Sequence, residues 1–253
     1  MSEKNIKEEL IKRANELGIT ETGFCIHEGK CAVCCLFPYY FEDSEKANIS
    51  MYARCIDYHI LVKEKLCALL SPFTEDFEIR VDVGPIDNID VAFRAGLGVI
   101  GKNRLLINKN LGSYFFIGYA LTNLEIEPDL PIEGSCLSCN KCINACTGGA
   151  LSANGFDVTK CVSHISQKKG ELSDKEIKLL KKSNLIWGCD TCQDVCLMNR
   201  APLYAMAEFT ENRIPYLKKE DIENLSNKEF TKKYGNYAFS WRGKAVLLRN
   251  MEL

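Results

Sequence analysis

The stretch CLSCNKCINAC at residues 136–146 is followed by Cys161 and by CDTCQDVC at residues 189–196. The spacing C-x2-C-x2-C-x3-C in the first run wraps a chain around one four-iron cluster, while its fourth thiolate reaches over to a second cluster. Two such clusters need eight thiolates, and these residues contain eight of the chain's fourteen cysteines. The spacing therefore predicts a module with two 4Fe–4S clusters, similar to a two-cluster ferredoxin.

The eight thiols divide into two sets of four when the ligands cross between the runs, as they do in two-cluster ferredoxins. Cys161 then replaces the cysteine that the second run lacks. The alternative is a pair of zinc sites with four cysteines each, but zinc favours paired C-x2-C knuckles, which the first run matches poorly. The predicted sets are Cys136, Cys139, Cys142 and Cys196 for one cluster, and Cys146, Cys161, Cys189 and Cys192 for the other.

The remaining cysteines include the motif Cys31-x2-Cys34-Cys35, which raises the alternative of a third metal site. Cysteine is also a small buried hydrophobe, and Cys34 and Cys35 lie in an apolar run typical of a strand. We therefore prefer core packing as the interpretation. The other members of this group are Cys25, Cys55 and Cys67.

Composition and charge are those of a globular chain, with 46% hydrophobic and 26% charged residues among 253. The N-terminal residues are charged throughout and lack the apolar core of a signal peptide, and no window approaches the length of a membrane span. Fourteen cysteines without an export signal indicate a reducing cytoplasm. The net charge of −2 predicts no nucleic-acid binding by itself, so such a role would depend on local basic patches.

Hydrophobic periodicity predicts a mixed α+β chain. The apolar runs 105–107 and 114–124 flank a turn-forming sequence and predict a hairpin, and the acidic stretch 125–134 is typical of a linker. Helices are predicted over 6–17, 49–71, 85–95 and 173–183, and buried strands over 20–26, 30–40 and 77–83. The predicted domains are an α/β domain over 1–133, a ferredoxin-like domain over 134–205 and a short helical segment over 206–253.

Further motifs extend from about residue 49 to the C-terminus. They are Asp57-Tyr58-His59, Val81-Asp82-x-Gly84, Arg94-Ala95-Gly96-Leu97-Gly98-x-x-Gly101-Lys102-Asn103, Gly112-Ser113-Tyr114, Cys161-Val162-Ser163, Gly188-Cys189-Asp190-x-Cys192-Gln193 and Ser240-Trp241-Arg242-Gly243-Lys244. Together with the cysteine module, these motifs resemble the epoxyqueuosine reductase family.

The resemblance implies a cobalamin-dependent enzyme with two 4Fe–4S clusters. That family reduces the epoxide of epoxyqueuosine, at the wobble position of tRNA, to the alkene of queuosine. Its cobalamin-binding domain has a nitroreductase-like α/β core and is similar to that of the reductive dehalogenases. The family usually carries C-terminal helical repeats that grip the anticodon arm, and we expect this chain to be a short form without them.

Carried over by position, Asp82 matches the family's proton donor, which allows the epoxide oxygen to leave as a hydroxyl. We expect Asp82 at the end of a buried strand, facing an apolar macrocycle, where loss of solvent suits a carboxyl to general acid work. The alternative is that Asp82 caps the helix that follows, as aspartates before helices routinely do.

Other positions match those that line the corrin in the family. The spelling Gly96-x-Gly98-x-x-Gly101 also matches a dinucleotide fingerprint, but it follows a helix rather than a strand, so we discount that interpretation. We interpret these glycines as letting the backbone approach the cofactor. The corrin-lining matches are Asp82, Lys102, Ile117, Ser163 and Asp190.

The resemblance predicts a cytoplasmic monomer that acts on the anticodon arm of queuosine-family tRNA and takes electrons from a donor such as flavodoxin or ferredoxin, with no membrane. The family often has an arginine seven residues after the acid, where this chain has Ile89. Two alternatives follow: a corrinoid iron–sulfur reductase acting on a small molecule, and a ferredoxin-like electron-transfer protein. The basic residues that would face tRNA, unless they are simple solvated faces, are Lys168, Lys169, Lys178, Lys181, Lys182, Lys218, Lys219, Lys232, Lys233, Arg242, Lys244 and Arg249.

Overall fold

The structure is a computed structural model that describes residues 3–42, 47–82, 85–200 and 204–253. The chain forms two compact units, and it passes between them more than once. Unit one comprises residues 1–40, 58–138 and 198–206, and unit two comprises residues 41–57, 139–197 and 207–253. The mixed helix and strand content confirms the predicted α+β class.

Unit one is built on a four-stranded antiparallel sheet with the strand order β1-β2-β6-β3, which places β2 and β6 at its centre. A separate two-stranded ribbon pairs β4 with β5. The strands are β1 (Glu21–His27), β2 (Lys30–Pro38), β3 (Phe77–Val81), β4 (Val99–Ile100), β5 (Leu106–Ile107) and β6 (Phe115–Thr122). The helices are α1 (Glu3–Glu16), α2 (Tyr58–Leu70) and α3 (Pro85–Arg94). The predicted helices 6–17 and 85–95 and the predicted strands 20–26 and 30–40 are confirmed.

The central strand β2 is apolar and buried from Cys31 to Pro38, and both faces of the sheet are covered there. Successive side chains of a strand point to opposite faces. Cys34 and Leu36 of β2 lie in one core cluster with Tyr119 of β6 and with Val91 and Ala92 of α3. On the other face, β6 packs against α2. A strand buried on both faces shows a continuous apolar run instead of alternation, which explains the sequence of β2.

Gly118 of β6 marks the close approach between the sheet and α2. A Cβ atom built at Gly118 would lie 2.2 Å from Cγ1 of Val62 and 3.1 Å from Cδ1 of Leu66, both on α2. Val62 and Leu66 are fully buried. The absence of a side chain at residue 118 therefore sets how closely α2 packs on the sheet.

The predicted hairpin of residues 105–107 with 114–124 is wrong. The bridge between Asn108 and Gly112 closes the expected turn, but β5 pairs with β4, and β6 pairs with β2 and β3. The strand β6 is apolar on both faces, so it is stabilised more by central placement in the sheet than by a two-stranded ribbon.

The predicted helix over 49–71 is only partly correct. The α-helix begins at Tyr58, while residues 51–53 form a single 3-10 turn and residues 41–57 belong to unit two. The predicted strand over 77–83 ends at Val81, and residues 83–84 lie outside the described residues. Contacts made far along the chain decide these bounds, which local periodicity does not report.

Unit two consists of short helices and one small ribbon. The predicted helix over 173–183 is confirmed, and it begins at a capping box in which Ser173 and Glu176 bond each other's backbone N–H groups. The helices are α4 (Lys141–Ala145), α5 (Val162–Ser166), α6 (Asp174–Ser183), α7 (Thr191–Asp194), α8 (Ala207–Thr210), α9 (Asn227–Tyr234) and α10 (Lys244–Met251). The ribbon pairs β7 (Leu151–Ser152) with β8 (Gly155–Phe156).

Residues 123–140, which include the predicted linker, contain neither helix nor strand, and Asp129 bonds to Lys7 and Phe24 of unit one. No helix among the described residues combines the length and the apolar character that crossing a bilayer requires.

Replacing Gly118 with alanine tests the packing of α2 on the sheet. Because the new methyl group would overlap Val62, we expect Gly118→Ala to lower the free energy of unfolding by about 1–3 kcal/mol. Thermal unfolding under anaerobic conditions measures the loss.

Adding Val62→Ala to that variant removes the overlapping methyl groups, so the double variant should lose less stability than the sum of the two single variants. Lys63→Ala, on the exposed side of α2, is the control and should change stability by less than about 0.5 kcal/mol. Strictly additive losses would show that this contact does not set the position of the helix.

Candidate functional site

The two cysteine runs place their thiols on matching short helices of unit two. Cys142 lies within α4 and Cys146 ends that helix, while Cys192 lies within α7 and Cys196 follows it. Residues four apart lie about one helical turn from each other. The spacing C-x3-C therefore places the two thiols of each helix close together. The helices α4 and α7 also pack against each other, so the two runs form a pseudo-symmetric pair.

The pKa of Cys192 reflects the groups that surround the second predicted ligand set. Burial raises the pKa of the Cys192 thiol well above its usual value, and the nearby Cys189, Cys161 and Cys146 thiols and the Asp190 carboxylate raise it further. Repulsion of this kind requires close neighbours. The three neighbouring thiols are the other members of the predicted set, which supports that assignment.

The alternative to a cluster is a site that holds one metal ion. Among the residues that the structure describes, no group of three or more His, Cys, Asp or Glu side chains is arranged to hold one ion. A four-iron cluster binds one thiolate at each of four irons, so its ligands stand further apart than the ligands of one ion. The division of the eight cysteines into two sets stays a prediction.

Asp190 lies between Cys189 and Cys192 and is fixed by two hydrogen bonds. Ser50 Oγ donates to Oδ1 of Asp190 at 2.5 Å, and the backbone N–H of Met51 donates to Oδ2 at 2.7 Å. Burial raises the pKa of the Asp190 carboxyl, although both hydrogen bonds favour the charged form and oppose that effect. The carboxylate therefore ties the backbone at residues 50–51 to the second cysteine run.

Asp82 lies directly after β3 and is held by a tyrosine from α2. Tyr58 Oη donates a hydrogen bond to Oδ2 of Asp82 at 2.6 Å, and Nε2 of His59 lies 4.0 Å from the same oxygen. The Tyr58 ring stacks on Phe116 of β6, with centroids 4.2 Å apart and an angle of 8° between the planes, and it also stacks on His59. Because the ring is fixed by these stacks, its hydroxyl holds the carboxyl in one orientation.

The strand that ends before Asp82 is only partly buried, and not buried as expected. The strand β3 lies at the edge of the sheet, and the Asp82 side chain is 49% exposed. Its backbone has φ of +54°, a conformation that aspartate adopts more readily than most residues. The alternative role as a helix cap involves residues 83–84, which lie outside the described residues.

The other residues matched to the corrin-lining positions lie in both units. Lys102 is exposed after β4, and Ile117 of β6 packs against the core cluster beneath α3. Ser163 of α5 and Asp190 belong to unit two, and the Ser163 carbonyl accepts hydrogen bonds from Ser166 Oγ and Gln167 Nε2. Each unit thus contains part of the predicted set, and the roles of these residues stay a prediction.

The glycine triplet accommodates the chain itself. A Cβ atom would lie 2.7 Å from the Leu130 carbonyl oxygen at Gly96, 2.5 Å from the Ile107 carbonyl oxygen at Gly98, and 2.4 Å from Asn103 Oδ1 at Gly101. These neighbours belong to unit one. The glycines therefore permit close approach between segments of unit one, and their approach to a cofactor stays a prediction.

Five of the six cysteines outside the module, Cys25, Cys31, Cys34, Cys35 and Cys55, are buried, and Cys67 is exposed. Cys34 and Cys35 are fully buried and alternate along β2, so they face opposite sides of the sheet and cannot bind one ion together. Burial raises the pKa of the thiol to about 11 for Cys31 and to about 12 for Cys35 and Cys55. Thiols held in the protonated form are poor metal ligands, which supports the interpretation as core residues.

Two site residues were not given a role from the sequence. Tyr58 belongs to the quoted motif Asp57-Tyr58-His59, but nothing in that spelling indicates a bond to Asp82, 24 residues later. Ser50 carries no sequence signal at all, and its bond to Asp190 spans 140 residues. Both contacts depend on the fold.

Fold and site together define an iron–sulfur protein in which an α/β unit accompanies a double-cluster domain. Residues 135–199 match the family described as 4Fe-4S double cluster binding domain, which confirms two 4Fe–4S clusters over zinc. Residues 23–83 match the family described as Epoxyqueuosine reductase QueG, DUF1730.

The epoxyqueuosine reductase of Listeria monocytogenes is 39% identical over 217 residues, which are 81% of this chain and 56% of that protein. The structure of epoxyqueuosine reductase from Streptococcus thermophilus has a TM-score of 0.79 and 30% identity, and the match covers 98% of this chain and 80% of that one. A crystal structure of epoxyqueuosine reductase with an epoxyqueuosine-modified tRNA-Tyr stem loop has a TM-score of 0.86 and 28% identity, over 99% and 80% of the two chains. The chain belongs to the epoxyqueuosine reductase family.

Removing one predicted cluster ligand tests the division of the cysteines. We expect Cys161→Ala to lower the iron content from about eight to about four atoms per chain, since Cys161 is assigned to only one cluster. Iron and acid-labile sulfide analysis of anaerobically purified protein measures this content. Cys67→Ala, which removes an exposed thiol of α2, is the control and should keep the full content. Unchanged iron in Cys161→Ala would contradict the assignment.

Alkylation tests the interpretation of the remaining cysteines as core residues. At pH 8 under anaerobic conditions, iodoacetamide should label Cys67 rapidly, because this thiol is exposed. Cys31, Cys35 and Cys55 should stay unlabelled, because they are buried and their raised pKa values leave almost no thiolate. Mass spectrometry of the digested protein measures labelling at each site, and labelling in urea provides the reference. Rapid native labelling of Cys31 or Cys35 would show that these thiols are accessible.

Proposed function

We propose that this chain reduces epoxyqueuosine in tRNA to queuosine, using its two 4Fe–4S clusters and bound cobalamin, with Asp82 as the proton donor. The observation that carries the proposal is the fixed Asp82 carboxyl beside Tyr58 and His59, in a chain of this family that also carries the double-cluster domain. The chain spans about half the length of the curated relatives that it matches, with 56% of the Listeria protein covered.

The reaction requires electrons and protons in equal number. Converting an epoxide to an alkene consumes two electrons and two protons, and the oxygen leaves as water. Each cluster carries one electron at a time, and a small cytoplasmic flavodoxin or ferredoxin is the class of donor that can supply both. Cobalamin, when bound, contributes a strongly reducing and nucleophilic cobalt centre. The protein contributes the acid, the orientation and the electron path.

Asp82 holds the proton that the epoxide oxygen needs in order to leave as a hydroxyl rather than an alkoxide. The Tyr58 hydroxyl donates its hydrogen bond to Oδ2 of Asp82. This leaves Oδ1 as the oxygen that would donate the proton. His59, 4.0 Å from Oδ2, is a second group able to exchange a proton with Asp82. A half-exposed acid can take its proton back from solvent after each turnover.

The polar chemistry of unit one fits a corrin, whose rim carries carboxamide groups. Asn88 Oδ1 and Asn103 Nδ2 are buried without a hydrogen-bond partner among the described residues. An amide acceptor and an amide donor that lack partners are costly unless another polar group satisfies them. By the family resemblance, the residues that would hold the macrocycle are Asp82, Lys102, Ile117, Ser163 and Asp190.

Substituting the acid tests this role. Asp82→Asn keeps the shape of the side chain but carries no transferable proton, so we expect turnover on an epoxyqueuosine-containing stem loop to fall by at least about 100-fold. Both clusters and bound cobalamin should be retained, as measured by iron and cobalt analysis. Tyr58→Phe keeps the stacked ring and removes only the hydroxyl, so it should lower kcat by a smaller factor with little change in KM.

Activity of Asp82→Asn near the wild-type level would exclude Asp82 as the donor. Loss of folding in that variant, seen by circular dichroism, would instead support the role of Asp82 as a helix cap. Protein that binds iron but no cobalamin would favour electron transfer alone.

The choice between tRNA and a small molecule is decided by RNA binding. Ile89 stands where the family often has arginine, and it packs against the core cluster of unit one, so that cation is not available. A gel-shift titration with queuosine-family tRNA at low salt measures the affinity. No binding would favour a small-molecule substrate.

A further inference from the structure

An exposed tryptophan stacked on an arginine stands out on unit two. The Trp241 side chain is 57% exposed, although tryptophan carries a large apolar surface. The guanidinium carbon of Arg242 lies 3.5 Å from the centroid of the Trp241 ring. The pair follows a 3-10 turn, Ala238–Ser240, whose Phe239 is fully buried. The Trp241 ring is therefore exposed next to a buried anchor residue, and the partly buried Arg242 lies over it.

Arg242 differs from Arg249 and Lys244, the two basic residues of the same region that donate hydrogen bonds within the chain. Its Nε is buried and has no hydrogen-bond partner among the described residues. Arg249, in contrast, donates to the carbonyl oxygens of Lys168 and Gly170, and Lys244 donates to those of Glu223 and Leu225. An arginine has five N–H donors, and a buried donor without an acceptor lowers stability. Packing alone does not explain why Arg242 stays in this position.

The charge around the pair selects the chemistry of its partner. Residues 226–249 contain six Lys or Arg side chains and a single acidic one, Glu229. The Glu229 carboxylate is already used at the start of α9, where it accepts from the backbone N–H of Ser226. The segment therefore attracts a polyanion and disfavours a basic partner.

We propose that Trp241 and Arg242 form a stacking platform for one unpaired base of the RNA loop, with Arg242 donating to an adjacent phosphate or to the base edge. The proposal rests on the proposed function, since it takes the anticodon loop of tRNA as the RNA. Proteins read single-stranded RNA loops by stacking splayed bases on aromatic rings and guanidinium planes. A planar base extends the existing stack, and RNA phosphates supply acceptors for the terminal N–H groups of Arg242.

The experiment measures binding of a fluorescently labelled, unmodified anticodon stem loop to anaerobic holoprotein by fluorescence anisotropy. Trp241→Ala should weaken binding by about tenfold or more, because it removes the stacking surface. Trp241→Phe should restore most of that loss, because it keeps a ring. Arg242→Ala should also reduce the slope of log affinity against log salt by about 0.7 to 1. Lys228→Ala, which removes one exposed charge from the same segment, should change the salt slope but lower affinity only about twofold to threefold.

Abasic substitution of the loop identifies the stacked base. At one loop position, removing the base should weaken wild-type binding as much as Trp241→Ala does, and combining both changes should add little further loss. Additive losses at every loop position would overturn the platform. Unchanged affinity of Trp241→Ala would overturn it as well and would point to a protein partner for this surface.

Two readouts separate this inference from the proposed function. Reduction of an epoxyqueuosine-containing stem loop by wild-type protein, together with unaltered RNA binding by Trp241→Ala, would overturn the platform alone. If the wild-type protein neither binds nor reduces the RNA, both proposals fall. Iron content and circular dichroism show whether a variant is folded, and Trp241→Phe decides the outcome if Trp241→Ala is not.

Discussion

The demand of two four-iron clusters for eight thiolates constrains unit two more than its regular structure does. The helices that carry the cysteines, α4 and α7, have five and four residues, which is too short for a helix to be stable on its own. The core cluster beside Cys161 is small, with Val162, Ile165 and Leu180 as its buried residues. We therefore expect cluster binding to add order to the segments that carry the cysteines and to be coupled to their folding.

Cysteine serves two opposite purposes in this chain. In unit one, burial keeps the thiols of Cys31, Cys34 and Cys35 protonated, and they pack as small hydrophobes on both faces of β2. In the cysteine module, the Cys192 thiol is also buried, but it faces other thiols. A bound cationic metal centre, here the iron of a cluster, makes four adjacent thiolates favourable. The identity of the neighbours, and not burial alone, thus separates a ligand from a core residue.

Local sequence predicted those parts of the fold that depend on local physics. The helix of residues 174–183 has its own capping box, and the apolar runs in β1 and β2 are enough to predict buried strands. The cysteine spacing predicted the two clusters because metal ligation restricts spacing directly. The start of α2 and the pairing of β6 were mispredicted because Ser50, Met51 and β6 are placed by partners far along the chain.

The predicted acid shows the same limit at the candidate site. The motif around Asp82 identified the residue, but its exposure and its bond to Tyr58 depend on β3 being an edge strand beside α2. The glycine triplet shows the converse. Its spelling suggested close approach to a ligand, while the atoms that approach are carbonyl oxygens of Ile107 and Leu130. A motif states which residues are needed but not what they contact.

The buried Asp190 carboxylate has an electrochemical consequence. It adjoins Cys189 in the chain and is held by Ser50 and Met51 at a fixed place beside the Cys192 thiol. Reduction potentials of iron–sulfur clusters depend on nearby charge and on hydrogen bonds. A negative charge held there would oppose the arrival of an electron and would lower the potential of a cluster bound by Cys189 and Cys192. Ser50, distant in sequence from every cysteine of the module, would influence that potential because it holds the carboxylate in place.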